Sequence, residues 1–245
     1  MPTNRTRPLP AYRQVSEDLR QRIGRGEVAE GAALPIEADL SASYQVHRST
    51  VREALRQLEQ DGLVRRVGKR LVVTVPQPDD LAGVAARSLQ GRRVSFRDVW
   101  EVASTLEPMC AQLAAERITA EGLVRIKTNL GLTADLVAQG ASPVQATIAF
   151  QTLVAEAANN QALLLARAPV SVLMLSGYAA IAPALPQSGT RLLEAHRHVY
   201  EALYQRDAES AVAWTRKHLA DHRRGLEVAG LDMDAPIPPP QLPLR

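Results

Sequence analysis

The sequence predicts a mainly α-helical chain in two parts, a front module of three helices and a β-hairpin followed by an all-helical bundle. Apolar residues recur at spacings of three and four over most of the 245 residues. Two β-prone runs around Gly68-Lys69 interrupt that pattern once, and Pro76-Gln77-Pro78 then denies the backbone both helix and ladder. These features divide the chain into 1–76, 77–231 and a proline-rich tail, 232–245, expected to be extended or unpacked.

In the front module, Tyr12, Val15, Leu19 and Ile23 share one helix face, ended by Gly24 and Gly26. A second helix is expected from Ile36 to Tyr44, entered at Pro35, with Leu40 inward. The turn Gln45-Val46-His47 leads into a third, whose buried stripe is Val51, Ala54, Leu55 and Leu58. Asp61-Gly62 ends it, and LVRRVGKRLVVTV reads as a hairpin with Val72 to Val75 in its second strand. Beyond the linker, seven helices are expected over 81–89, 95–117, 120–138, 143–158, 160–180, 189–204 and 207–229, broken by Gly91, Gly140, Pro143 and the Pro183 to Gly189 loop. Alanine and leucine abound and only 4% of residues are aromatic, which suits close helix packing.

Composition narrows the function. Hydrophobic residues at 46% with charged residues at 22% indicate a soluble globular chain, and no window nears the 18 to 20 unbroken apolar residues of a membrane span. The N-terminal stretch has arginines but no apolar run with a cleavage site, so a cytoplasmic location and no membrane partner are expected. The single cysteine, Cys110, lies in an apolar helical run and reads as a small buried hydrophobe. Net charge is +3, but residues 1–76 hold 13 basic against 9 acidic side chains, and Tyr44 to Arg70 hold 7 against 3. A polyanion would be drawn there.

On the third helix Arg48, Arg52 and Arg56 lie four apart, opposite the apolar stripe. A helix offering its N-terminus and an arginine face can enter the major groove of double-stranded DNA. There a guanidinium bonds guanine O6 and N7, and the short hydroxyls of Ser49 and Thr50 reach phosphates or thymine methyls. First-turn amides add a phosphate site, and the hairpin carries Lys69 and Arg70 at its tip.

The stretch from Ala11 to Val73 resembles the winged helix-turn-helix of the GntR family of bacterial transcription regulators, without a gap. The resemblance implies that Arg48, Thr50 and Arg52 contact DNA and that Gly68 and Lys69 reach the minor groove. Ala38 stands where the family commonly has an arginine. His47 stands where it usually has a capping Ser or Thr, so His47 must either cap the helix itself or touch DNA.

Residues 81–229 resemble the FCD domain, the all-helical effector-binding and dimerisation domain of the FadR-like branch. The signals are LEP-x-x-A-x-x-A-A-E-R from Leu106, A-F-Q-x-L-V-x-x-A-x-N from Ala149, and the run from His196 to Leu219. Many such domains hold a divalent metal through one Asp and three His. Here Thr147 and Gln151 occupy the Asp and first His positions, leaving only His196 and His218, so no metal or other cofactor is expected. The family also often places an effector-pairing arginine where this chain has Ala103. A pocket of Ala103, Thr147, Gln151, His196 and His218 is therefore expected to take an uncharged or larger apolar effector. His222 is expected on a solvated face.

The leading reading is a homodimeric, sequence-specific regulator of repressor type. It would bind a palindromic operator, because one short module makes too few base contacts. A small-molecule effector would shift the spacing of the two modules about the Pro76-Gln77-Pro78 linker. The alternatives are a DNA-binding dimer whose bundle is only a scaffold, and an enzyme using His196 and His218. Against the enzyme, no nucleophile, phosphate loop or carboxylate pair stands at informative spacing, so none is expected.

Overall fold

The computed structural model describes residues 9–74 and 78–238. They form two compact units divided between Gln77 and Pro78.

The first unit comprises α1 (Ala11–Gly24), α2 (Glu37–Tyr44), α3 (Arg48–Gln60), β1 (Val64–Val67) and β2 (Arg70–Val73). Its core is the expected stripe, Val51, Ala54, Leu55 and Leu58, closed by Val15 and Leu19 from α1, Leu40 from α2 and Val64 and Val73 from the hairpin. Gln45 adopts a left-handed conformation with φ of 53° and ends α2, and the Ser41 hydroxyl donates to the Val46 carbonyl at 2.7 Å, which fixes the turn into α3. The strands pair antiparallel with Val67 opposite Arg70, leaving a two-residue turn that Gly68 opens with φ of 61°. β2 stops at Val73, short of the expected end, and Val75 lies outside the described residues. A third segment completes the sheet edge: Gly31 donates to Val73 and Leu34 to Leu71, a pairing the turn-rich Gly31 to Leu34 stretch did not announce.

The second unit holds α4 (Pro78–Gly91), α5 (Phe96–Arg117), α6 (Ala120–Ala138), α7 (Val144–Ala157), α8 (Gln161–Ala184), α9 (Ser188–Gln205) and α10 (Ala208–Val228). α5 is central, packing against α7, α8, α9 and α10, while α4 lies on α8. Three boundary expectations are corrected. Pro78 opens a helix where the sequence predicts a break, because a first-turn position needs no backbone N–H. α8 runs through Pro183 to Ala184, its last turn closed by the Leu185 amide on Ile181. The tail is packed over 232–238: Met233 and Ile237 are buried, and the strap donates its Ile237 amide to Val94 and accepts from the Phe96 and Arg97 amides at the start of α5. The prolines there end helix without preventing burial. Residues 239–245 lie outside the described residues.

α8 also departs from the composition reading, being the one described helix long and apolar enough to cross a membrane. The bundle accounts for its apolarity, since Leu173, Met174, Leu175 and Tyr178 are buried core residues. Within the same helix Arg167 is only 1% exposed and pairs with Glu107 of α5 at 2.9 Å. Cys110 is fully buried, and burial pushes its thiol up to about 12.

Candidate DNA-recognition surface and ligand cavity

The recognition surface follows from how α3 is anchored. With Val51, Ala54, Leu55 and Leu58 inward, helical geometry turns Arg48, Ser49, Arg52 and Arg56 outward, and all four are exposed, with Thr50 half-buried between them. His47 caps the helix: its Nδ1 accepts from the Ser49 amide at 3.3 Å and lies 2.8 Å from the Ser49 hydroxyl, so the imidazole does the work of the missing Ser or Thr. Arg65, Arg66, Gly68, Lys69 and Arg70 are exposed on the hairpin.

The three arginines of α3 are not equivalent. Arg56 is held by Glu53 on its own helix, and Arg52 is held by Glu37 of α2. Arg48 has no ion-pair partner among the described residues. Arg52 Nε donates to Glu37 Oε1 at 3.3 Å and Nη2 to Oε2 at 2.9 Å. Arg52 first, then Arg66 and Arg48, lowers the Glu37 carboxyl. Sequence reading missed Glu37, whose only signal was its place after Pro35-Ile36.

In the bundle, the five expected pocket residues are all buried but do not form one pocket. Thr147 and His218 line a cavity of about 250 Å³ bounded by α7, α8, α9 and α10. Gln151, His196 and His218 border a separate internal void of about 20 Å³ with Glu107 and Phe150, room for about one water. Ala103 lines neither. It sits in the apolar core and is corrected from pocket to packing residue, because α5 turns that position toward core side chains such as Val99 and Leu173.

His218 is the wall between the two spaces. Its Nε2 lies 2.9 Å from the Tyr178 hydroxyl, which accepts from Gln151 Nε2 at 3.0 Å. His222 is also corrected, from solvated face to buried cavity wall: it is one turn beyond His218 on the same inward side, with its ring 4.2 Å from that of Tyr178. Gly177 makes room for it, since a Cβ there would meet His222 Nε2 at 3.0 Å. His196 stacks on Phe150 with centroids 3.8 Å apart, and neither ring nitrogen has a hydrogen-bond partner among the described residues.

The buried histidine wall is electrically neutral. Burial lowers His218 to about 4, Asp221 opposing the shift only in part, and lowers His222 to about 3, and burial with the neighbouring His218 holds His196 well below the usual histidine range. Burial also raises Tyr178. Glu107 is neutralised by Arg167, whose Nε and Nη2 share the same carboxylate oxygen, the second contact being poorly aligned. Charged groups do reach the larger cavity: Arg191, Asp221 and Arg224 line it, with Arg191 3.1 Å from Asp221. The residues present do not fit a divalent metal. Thr147 donates its hydroxyl to the Pro143 carbonyl, the Gln151 amide nitrogen is turned to Tyr178, and no group of three His, Cys, Asp or Glu side chains among the described residues is arranged to hold one.

Comparison with known proteins agrees with both halves. Residues 11–73 match the description "Bacterial regulatory proteins, gntR family", and residues 98–221 match the FCD domain. The transcriptional repressor NanR of Cronobacter sakazakii is 31% identical over 219 residues, spanning 84% of this chain and 81% of that protein. NanR of Salmonella schwarzengrund is 28% identical, over 88% and 85%. The solved structure of a GntR protein from Streptococcus agalactiae superposes with a TM-score of 0.68 at 27% identity, covering 87% of this chain and 99% of that one. An arginine-faced, histidine-capped helix beside a basic hairpin, joined in one chain to an FCD bundle, places this protein in the GntR family of DNA-binding transcriptional regulators, not among enzymes.

Proposed function

We propose that this regulator is a cytoplasmic homodimeric repressor whose α3 enters the major groove at each half of a palindromic operator. A small molecule in the bundle then controls its hold on DNA. The observation that carries the DNA half is the division of α3 into a fully buried apolar stripe and an exposed face of Arg48, Ser49 and Arg52 beside the Lys69 wing tip. Two modules per operator supply the base contacts that one lacks.

The effector half rests on the 250 Å³ cavity. Its walls are apolar at Val144, Ile181, Leu185, Leu192 and Val228, and Thr147, Tyr178, His218 and His222 contribute hydrogen-bonding groups without net charge. A carboxylate set against those four side chains would lose its water for neutral partners, and of the cations that line the cavity Arg191 is already paired with Asp221, whereas a neutral group finds donors and acceptors there. The proposed effector is therefore uncharged where it meets the histidines and binds without metal.

A mobility-shift experiment with the DNA upstream of the protein's own gene tests both halves. The shift is expected with the wild-type chain, lost in Arg48→Ala, and released by a neutral metabolite with chelator present. Release only by a carboxylate, or only with added metal, would refute the effector reading. A shift that no metabolite alters would favour the scaffold reading of the bundle.

A further inference from the structure

The contact between Glu37 and Arg52 is a side-on fork. The carboxylate takes the Nε edge of the guanidinium, through Nε–H and one Nη2–H. Arginine has five N–H donors in a rigid plane, so this leaves the far edge, Nη1–H and the second Nη2–H, without a hydrogen-bond partner among the described residues, on a side chain that is 70% exposed. That far edge is the one that matches guanine O6 and N7 in the major groove. Both groups can be satisfied at once, with the carboxylate behind the guanidinium and the base in front of it.

Three further observations give the pair a direction. It joins two helices, α2 and α3, so it fixes Arg52 against a second element, whereas the Arg56 pair is with Glu53 on the same helix and anchors it to nothing else. Arg52 lies in the N-terminal half of α3, the part that addresses base edges in this docking geometry. Glu37 also feels Arg66 and Arg48, so it stands among the cations of the DNA-facing surface, where a carboxylate opposes phosphate binding. An exposed pair, with the Arg52 side chain 70% exposed, adds little to folding stability. Its value must be sought in recognition.

We propose that Glu37 is a positioning residue that aims Arg52 at a guanine and thereby sets base discrimination without adding to overall affinity. Held in this fork, Arg52 keeps its orientation before DNA arrives and loses less freedom on binding. Opposite another base the outward edge finds fewer acceptors, and the Glu37 charge remains as a penalty that few phosphate contacts offset. The inference rests on the reading of α3 as the recognition helix, and the test separates the two.

The test selects sites from a pool of randomised duplexes with the full chain as wild type, R52A, E37Q and E37A, followed by affinities for the selected site, for its single-base variants and for an unrelated duplex, with melting temperatures alongside. R52A is expected to lose the preference at one position per half-site, a guanine in the wild-type selection. E37Q and E37A are expected to weaken discrimination at that same position by about fivefold or more, the scale of one bidentate contact. Their affinity for unrelated duplex should hold or rise and their melting temperatures should stay at the wild-type value. E37A placed in R52A should remove no further discrimination. E37Q and E37A keeping the guanine preference within about twofold would overturn the proposal, and so would a loss of affinity for every sequence accompanied by a fall in melting temperature. A wild-type pool with no enriched site, or R52A with an unchanged site, would overturn the reading of α3 itself and the proposal with it.

Discussion

Tyr178 of α8 and His218 of α10 are joined hydroxyl to Nε2 at 2.9 Å in the interior of the bundle. Tyr178 also accepts from the Gln151 amide at 3.0 Å, and its hydroxyl, with one proton and a further lone pair, can pair with His218 Nε2 in either tautomer of the ring. One hydroxyl thus pairs with side chains from two other helices at the wall of the larger cavity.

Removing that hydroxyl strands both partners. Tyr178→Phe keeps the ring and its contact with His222 but leaves Gln151 Nε2 and His218 Nε2 short of their partner. The cost expected is about 1 to 3 kcal/mol, the usual penalty for orphaned buried polar groups. Denaturant unfolding measures it, and a variant as stable as wild type would mean that water or Gln151 closes the gap.

The buried histidines make stability depend on pH. His196, His218 and His222 are held neutral in the folded chain, with His218 at about 4 and His222 at about 3, whereas an unfolded histidine titrates near 6.5. Stability is therefore fully present above about pH 6.5 and declines as pH falls toward 4, because only the unfolded chain takes up the protons. Between pH 7 and 5 His218 and His222 each contribute roughly 2 kcal/mol of loss, about 4 kcal/mol for the two, and His196 adds to it in the same direction. Unfolding followed across that window should show this slope, and His222→Phe should flatten it by about a third. A flat profile would show that the folded state accommodates the charged rings.

How much of this was legible in the sequence depends on the kind of signal. The α3 stripe was, because Val51, Ala54, Leu55 and Leu58 repeat at helical spacing and one face of a surface helix must be apolar. The cavity was only half legible. Thr147 and His218 lie together as expected, but Ala103 was placed by resemblance to relatives that carry a functional arginine there, and a small side chain on α5 simply joins the core. His222 was misjudged because a polar residue in an amphipathic helix is assigned by default to the solvent side. Its spacing of four from His218 pointed inward, and nothing in one sequence could reveal the space that Gly177 leaves on α8. The Glu37 fork depends on α2 crossing α3, a tertiary fact with no local signature.

The His47 cap gives a prediction confined to the first unit. Its Nδ1 satisfies one of the first-turn amides of α3 that lack a partner within the helix. His47→Ala should cost about 1 kcal/mol and His47→Ser should recover most of it, since serine caps as well or better. Thermal unfolding of the three chains gives the ordering. If His47→Ser instead falls below His47→Ala, the imidazole is holding α3 through some contact other than the cap.

The strap over residues 232–238 carries the last prediction, because it closes the end of the bundle nearest His222. Ile237 is 5% exposed and packs with Phe96, Val99, Trp100, Leu173 and Leu226 around a void of only about 10 Å³, so the space there is already filled. The Met233 and Ala235 carbonyls accept from the Arg97 and Phe96 amides, and Arg97 pairs with Asp234, so the strap also satisfies the start of α5. Ile237→Ala should destabilise by about 2 to 4 kcal/mol, combining lost apolar burial with the cavity left behind. Asp234→Asn removes only an exposed ion pair and should leave stability close to that of the wild type. Both are read by denaturant unfolding of the full chain. Comparable losses for the two would mean that the ion pair, and not Ile237, fixes the strap to the bundle.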